Sequence, residues 1–461
     1  MQLINRLYSI AATITILQSD YDSLISLISA QAKLILELEE RISLLENGRK
    51  STTSHTPSSQ VIGRSNSKSL RLKSDKPSGG QSGHEGNTLL CKAIPDAIIP
   101  HIPSYCTECG LNLSAISSVV VGRRQEIFIP PIRAHYLEHV SHSKTCSCGN
   151  KCVGSFPEGI NAPIQYSGQI SALVAYLSVS QYLPYKRITL LMQDVFGIPM
   201  SEGTVDNLLE RVAQKAMPAY QMIQQRIQSE AVVGGDETGA SIGGKKGWMH
   251  TWQSPKHTFI VASMNRGFQT IMQYFPNGFP LSVYVSDCWA AQLKVLAKLH
   301  QLCIAHLMRE LTNFVEALDC KWSMKMKALF SDAIRVKQQL TITDYKQPCQ
   351  EVAILQKRLD TLLKEHEDAS PNKKVQAFIK RLEKHEKSIL TFLYHHHVPP
   401  DNNASERAIR NVKVKTKVSG QYRSERGAER FAIIRSVMDT IKKSNKDILE
   451  AIIVLCYNYA E

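Results

Sequence analysis

Apolar side chains recur at alternating steps of four and three between residues 24 and 45: Leu24, Ile28, Gln31, Ile35, Leu38, Ile42 and Leu45. The spacing predicts a coiled-coil helix with one polar seam position, Gln31, suited to fixing register or strand number. An amphipathic helix packed within its own domain carries the same pattern, and Asn47-Gly48 ends either one. From Arg49 to Asn87 large apolar residues nearly vanish, and Ser, Thr, Gly, Pro and Lys give the composition of a flexible tether. Alternation over Gln125 to Pro130 and Ala134 to Val140 predicts short strands. Helical spacing then covers Tyr166 to Gln181, Tyr185 to Phe196 and Ser201 to Arg226, with Ser201 as N-cap. Three such helices make either a helix-turn-helix DNA reader or plain packing.

The pattern changes at residue 231. Ala231 to Asp236 is a short apolar strand ending on a carboxylate, and Leu281 to Asp287 is a second. Trp248 to Gln253 and His257 to Ala262 form a hairpin between them. Helical patterns follow at Leu293–His300, from about 305 to 393, and from Ala404 onward. The expected organisation is multidomain α/β: a coiled coil for oligomerisation (1–48), a basic linker (49–95), a cysteine module (96–160), a helical segment (161–228), and an α/β domain (229–461) with a helical insertion at about 307–395.

Composition narrows the partner. The 461 residues are 43% hydrophobic, as in a globular protein, and carry a net charge of +14. The surplus is localised: residues 49–90 hold seven Lys/Arg against two acids, and residues 401–443 eleven against five, whereas 1–48 is net acidic. Such basic stretches point to a polyanion, and DNA is the expected partner. No run approaches the roughly 20 apolar residues of a membrane span. The apolar start lacks a cationic region leading into a cleavage site, so it is not read as a signal peptide and a cytoplasmic location is expected.

Eleven cysteines, several in close pairs, favour metal ligation in a reducing compartment over disulfides. Cys106-x-x-Cys109 and Cys146-x-Cys148 flank the alternating segments, which is how a small zinc ribbon gathers four soft ligands. The second pair is tighter than usual, so Cys152 and His142 are alternatives for one ligand, and a metal-free thiol hairpin is the plain alternative.

The carboxylates suggest chemistry. Asp236 and Asp287 each close a strand, fifty-one residues apart, and functional groups collect at such ends. A third carboxylate, Glu406, lies in the block Asp401-Asn402-Asn403-Ala404-Ser405-Glu406-Arg407-Ala408-Ile409-Arg410, which starts a helix after Pro399-Pro400. Three carboxylates among cations are what a metal-dependent phosphodiester site requires. Arg407, Arg410, Lys413, Lys415 and Lys417 follow as candidate phosphate contacts. Glu237 is left out of the set, because successive strand residues face opposite ways.

With these motifs in family order, the chain resembles the IS66 transposases. The resemblance rests on Gly79-Gly80-Gln81 and Gly83-His84-Glu85-Gly86, the cysteine module, Asp236-Glu237-Thr238, Ser286-Asp287-Cys288-Trp289, Cys303-Ile304-Ala305-His306, the 401–410 block, and Ser424 to Thr440. It implies an RNase H-like DDE core with Asp236, Asp287 and Glu406 as catalytic residues holding two Mg²⁺. It also implies action on element ends and target DNA and accessory proteins encoded with the element, to which the cysteine pairs add one structural Zn²⁺ and the 24–45 seam a homo-oligomer. Cys303 and His306 are implied to lie near the active site without an assigned role. On spacing alone they are a zinc half-site or a helix interior. A zinc-ribbon regulator that binds DNA without cutting it, and an inactive transposase copy, are the competing expectations.

Overall fold

The structure is a computed structural model that describes residues 5, 20–23, 25–32, 34, 35, 89–346, 349–366 and 369–457. Leu24, Leu38, Ile42 and Leu45 of the predicted seam lie outside these residues, as does the linker through residue 88, including its glycine motifs. The described residues between 20 and 35 are helical and exposed, Ile28 and Ile35 among them. Among the described residues no helix is long and apolar enough to cross a membrane.

Contacts divide the chain into two units. One comprises residues 68–218, 414–420 and 433–461. Its first part, 89–163, holds only two short strands, β1 (Ser143–Thr145) and β2 (Lys151–Val153), paired antiparallel. The strands predicted at 125–130 and 134–140 do not form. Their apolar residues find no layer to cover them: Ile127 is 76% and Leu137 84% exposed. A period-two pattern makes a strand only where one face is buried.

Helices follow as predicted. They are α1 (Gly168–Ala175), which runs into a π-helical turn over Tyr176–Ser180, then α2 (Tyr185–Phe196) and α3 (Glu202–Gln228). The Ser201 hydroxyl accepts the Thr204 N–H at 3.1 Å, the capping contact its sequence position called for. Pro184, without an N–H to lose, precedes α2, and Gly197 closes it at φ +68°.

The other unit comprises the described residues among 1–67, with 219–413 and 421–432. Its core is a five-stranded sheet of β3 (Val232–Ile242), β4 (Lys245–Gln253), β5 (Thr258–Ser263), β6 (Phe279–Ser286) and β7 (Ala297–Leu302), ordered β5-β4-β3-β6-β7. The first three are antiparallel neighbours, while β3–β6 and β6–β7 are parallel. Short helices α4 (Phe268–Tyr274) and α5 (Ala290–Leu293) sit in the connections. Fully buried Trp252, Phe275, Phe279 and Tyr284 run as a chain of rings, with centroids 5.0, 4.7 and 5.1 Å apart in succession. Such offset and edge contacts add to the burial of the rings.

Two expectations are corrected here. Residues 297–302 are a strand, not part of a helix, because parallel pairing with β6 outweighs a local pattern that suits either state. β3 also runs on past Asp236 through Ile242, so Asp236 lies within a strand and not at its end.

The predicted helical insertion is present as α6 (Ile304–Leu318), α7 (Lys321–Gln339), α8 (Gln350–Lys364), α9 (Lys373–Lys384) and α10 (Thr391–Tyr394). It has its own core of Trp322, Phe330, Phe378 and Leu359. Gln301, fully buried in β7, donates to the Ile389 carbonyl and accepts the Phe392 N–H at 2.7 Å, which returns the chain to the sheet. The C-terminal helices are α11 (Asn403–Ser419), α12 (Glu425–Lys443) and α13 (Ile448–Tyr457).

Candidate active site

Parallel pairing of β3 with β6 ends at Gly234 opposite Val285. Asp236 and Asp287 each stand two residues beyond that last pair, where the strands part. Asp236 is half-buried, and its Oδ1 accepts the Glu237 N–H at 2.8 Å. Burial, then the charges of Asp287, Glu237 and Glu406, push its carboxyl well above the usual carboxylate range, against the pull of that hydrogen bond. The charges of Asp287 and Glu406 therefore both bear on Asp236. Asp287 is oriented locally, its Oδ1 accepting the Trp289 N–H at 3.0 Å.

Glu406 reaches this region because the 401–410 block is docked on β3. Asn402, itself buried, donates Nδ2 to the Gly235 carbonyl at 2.7 Å, and its Oδ1 accepts the Ser405 hydroxyl at 2.6 Å. A Cβ on Gly234 would lie 2.5 Å from Ser405 Oγ, and one on Gly235 would overlap Tyr284 Oη. The Gly-Gly pair before Asp236 is thus a requirement of close approach. Asp401 Oδ1 accepts the Asn403 N–H at 3.0 Å, opening α11 so that Glu406 falls in its first turn.

Cys303 fastens the third side. Its N–H donates to the Ser286 carbonyl at 2.8 Å, its Sγ accepts the Asn402 N–H at 3.2 Å, and the Ile304 N–H donates to the Pro400 carbonyl at 2.9 Å. One residue thus ties the chain before Asp287 to the chain before Glu406. Burial pushes its thiol up to about 12. His306 and Arg309, on α6, meet Glu406: His306 Nδ1 lies 3.7 Å and Arg309 Nη2 3.1 Å from Oε1.

Glu237 is fully engaged elsewhere. Its Oε1 accepts from Arg266 Nη2 at 2.9 Å and its Oε2 from Gln292 Nε2 at 2.7 Å. Gln292 in turn accepts the Tyr284 hydroxyl at 2.5 Å. The Arg266 guanidinium stacks on Trp248 and Trp289, 4.7 and 3.9 Å from their ring centres. Arg266, Gln292 and Arg309 escaped the sequence reading; their partners lie 29, 55 and 97 residues away.

Of the candidate phosphate contacts, Arg407, Arg410, Lys413 and Lys417 are exposed along α11. Lys415 is not. It is 9% exposed, points its Nζ at the Ser178 carbonyl at 3.4 Å, and burial pushes it down to about 8, so it cannot share their exposed row.

The cysteine pairs form two similar knuckles. The Cys106 N–H donates to the Leu111 carbonyl and the Gly110 N–H to the Cys106 carbonyl; the Cys146 N–H donates to Asn150 and the Gly149 N–H to Cys146, all at 2.8–3.0 Å. Gly110 and Gly149 take φ +74° and +86°. Amide N–H groups around Cys109 and Cys148, respectively, hold the Cys106 and Cys146 thiols below their ordinary value. Cys152 lies on β2, with the Asn150 amide nitrogen 3.9 Å from its Sγ. Among the described residues, the one group of three or more metal-capable side chains with donor atoms within 4.8 Å is Cys303, His306 and Glu406. The four module cysteines are not drawn together in this way, nor are Asp236, Asp287 and Glu406.

The model of a family described as Transposase IS66 family matches residues 163–430, which include the sheet, all three carboxylates and Cys303. No curated protein matches the chain.

Proposed function

From the chain's membership of the IS66 transposase family, to which it belongs over more than half its length, we propose that it cuts and rejoins DNA at Asp236, Asp287 and Glu406. The mixed five-stranded sheet is then the RNase H-like core of a DDE enzyme. The observation that carries this reading is Asp236, whose carboxyl is raised by desolvation first and then by the charges of Asp287, Glu237 and Glu406. Mutual repulsion of this kind is what a divalent cation relieves, and oxygen donors suit Mg²⁺. The three carboxylates fit the ion in donor type, and they are not gathered within 4.8 Å of one another.

Bound Mg²⁺ supplies Lewis acidity at the attacking and leaving oxygens. The protein's part is positional. Asp236 and Asp287 hold charge where β3 and β6 separate, and Asn402 docks the start of α11, which carries Glu406 in its first turn, on β3. Arg407, Arg410, Lys413 and Lys417 hold backbone phosphates without entering the chemistry. The reaction is hydrolysis at the element's 3′ ends, then attack of the freed 3′-OH on target DNA. Cys106, Cys109, Cys146 and Cys148 bind one structural Zn²⁺. The segment at 24–45 joins subunits on paired ends in the bacterial cytoplasm, with accessory proteins as partners.

The test is cleavage of end-containing DNA by Asp236→Asn, Asp287→Asn and Glu406→Gln, with binding measured alongside. Each variant is expected to lose cleavage and keep binding. Near-normal cleavage by any one removes that residue from the set, and a wild-type chain that binds but never cuts supports the regulator reading.

A further inference from the structure

We propose that Cys303, His306 and Glu406 form a binding site for a borderline-soft divalent cation of the Zn²⁺ or Co²⁺ class, distinct from the hard-cation chemistry of Asp236 and Asp287. The three donors, a thiol sulfur, a ring nitrogen and a carboxylate oxygen, all lie within 4.8 Å of one another. His306 Nδ1 and Glu406 Oε1 are 3.7 Å apart. Zinc bonds of about 2.0–2.3 Å in a tetrahedron place neighbouring donors roughly 3.3–3.8 Å apart. The nitrogen–oxygen pair is therefore within about 0.4 Å of the edge of such a site.

The local sequence explains the cluster. Cys303 precedes α6 and His306 comes one turn later, so both side chains project on the same side of its N-terminus. The Asn402 N–H donated to Cys303 Sγ is the outer contact that orients a thiolate ligand. Three protein ligands leave a fourth position open. A thiol is a poor ligand for Mg²⁺ and a good one for zinc or cobalt, so the donor set selects the softer class. Arg309 touches Glu406 Oε1, and the carboxylate's second oxygen lets guanidinium and cation share it. On binding, the Cys303 thiol proton is released to solvent. The site does not depend on the proposed reaction, but it draws on Glu406, so a soft cation competes with the proposed catalytic set for that carboxylate.

The experiment is titration of the full chain with cobalt chloride, reading the near-ultraviolet sulfur-to-cobalt absorption and the bound stoichiometry. The cysteine module contributes equally to wild type and Cys303→Ser, so their difference reports Cys303. Cys303→Ser is expected to bind about one cobalt ion fewer, and His306→Gln to weaken the Cys303-dependent band at least about tenfold in affinity. Asp236→Asn is expected to leave that band unchanged. Identical spectra and stoichiometry for wild type and Cys303→Ser overturn the proposal, as does loss of the band in Asp236→Asn. Should Cys303→Ser fail to fold, unchanged cobalt affinity in His306→Gln overturns it alone.

Discussion

Just before Asp236 the backbone is closely packed. A methyl on Gly234 or Gly235 would collide with Ser405, Asn402 or Tyr284, and the buried Tyr284, Gln292 and Glu237 are joined by hydrogen bonds. Around Cys106 and Cys146 there is room everywhere. A Cβ on Gly110, Gly122 or Gly149 meets nothing within 4 Å, and Val121 is 100% exposed. The first region takes its geometry from burial and from backbones in close approach. The second has only short backbone hydrogen bonds within each knuckle. A region with so little buried apolar surface needs a cross-link to hold one shape, and the zinc proposed for its paired thiols would be that cross-link.

The largest effect should come from removing that cross-link. A strong zinc chelator is expected to abolish amide protection across residues 98–160 and to leave β3 and β6 untouched, since structural zinc in small modules contributes roughly 10–16 kcal/mol. Unchanged exchange across the module would mean that the knuckles stand on their backbone bonds alone.

Next in size is a glycine pair that contrasts the two regions. Gly235→Ala should cost about 3–4 kcal/mol by denaturant unfolding, from overpacking and disruption of the buried Tyr284–Gln292 bond. Gly122→Ala should change stability by less than about 0.5 kcal/mol. Similar values for both would remove the distinction.

Acid should strain the packed region through His250. Burial pushes its imidazole down to about 4, while its Nε2–H donates to the Asn265 carbonyl at 3.0 Å. Below about pH 6.5 the unfolded chain accepts a proton that the folded one refuses. Stability is thus complete above that pH and declines as pH falls toward 4, by about 2–3 kcal/mol. His250→Gln should flatten the slope, and a slope unaltered by the substitution would assign it to other groups.

The smallest effect runs the other way. Without divalent ions, Asp236→Asn removes a half-buried carboxylate disfavoured by desolvation and by neighbouring charges, and should raise the melting temperature by about 2–4 °C. Added Mg²⁺ should stabilise the wild type and not the variant. A variant that melts lower in both conditions would show that the carboxylate is held by attraction.

Much of the site was legible because its signals are local. Asp287 follows an apolar strand, and Glu406 follows a proline pair and an Asp-Asn cap, so neighbouring residues announce both. Asp236 stands out in the sequence as the end of a strand, and it lies within one. Glu237-Thr238-Gly239 looks like a strand exit, yet the antiparallel partner β4 carries β3 on to Ile242. β7 was lost for the same reason, since Ala297–Leu302 becomes a strand only beside β6. Lys415 has the same spacing as Lys413 and Lys417, and only the position of Ser178 shows that it turns inward. Arg266, Gln292 and Arg309 carry no motif at all. Their roles exist only once distant carboxylates have been brought to them.

The bond from Asn402 to Gly235 spans 167 residues, and that distance is also an interval of time. On a ribosome the aspartates emerge first, and Glu406 follows Asp287 by 119 residues. At about 5–20 residues per second the gap lasts roughly 6–24 s. Throughout it the nascent chain lacks the third carboxylate, and the Gly235 carbonyl waits for its partner. A chain stalled or truncated before residue 401 would carry both aspartates yet lack the segment that completes the set. Late synthesis thus acts as a safeguard, delaying the proposed DNA-cutting centre until its last element has been made.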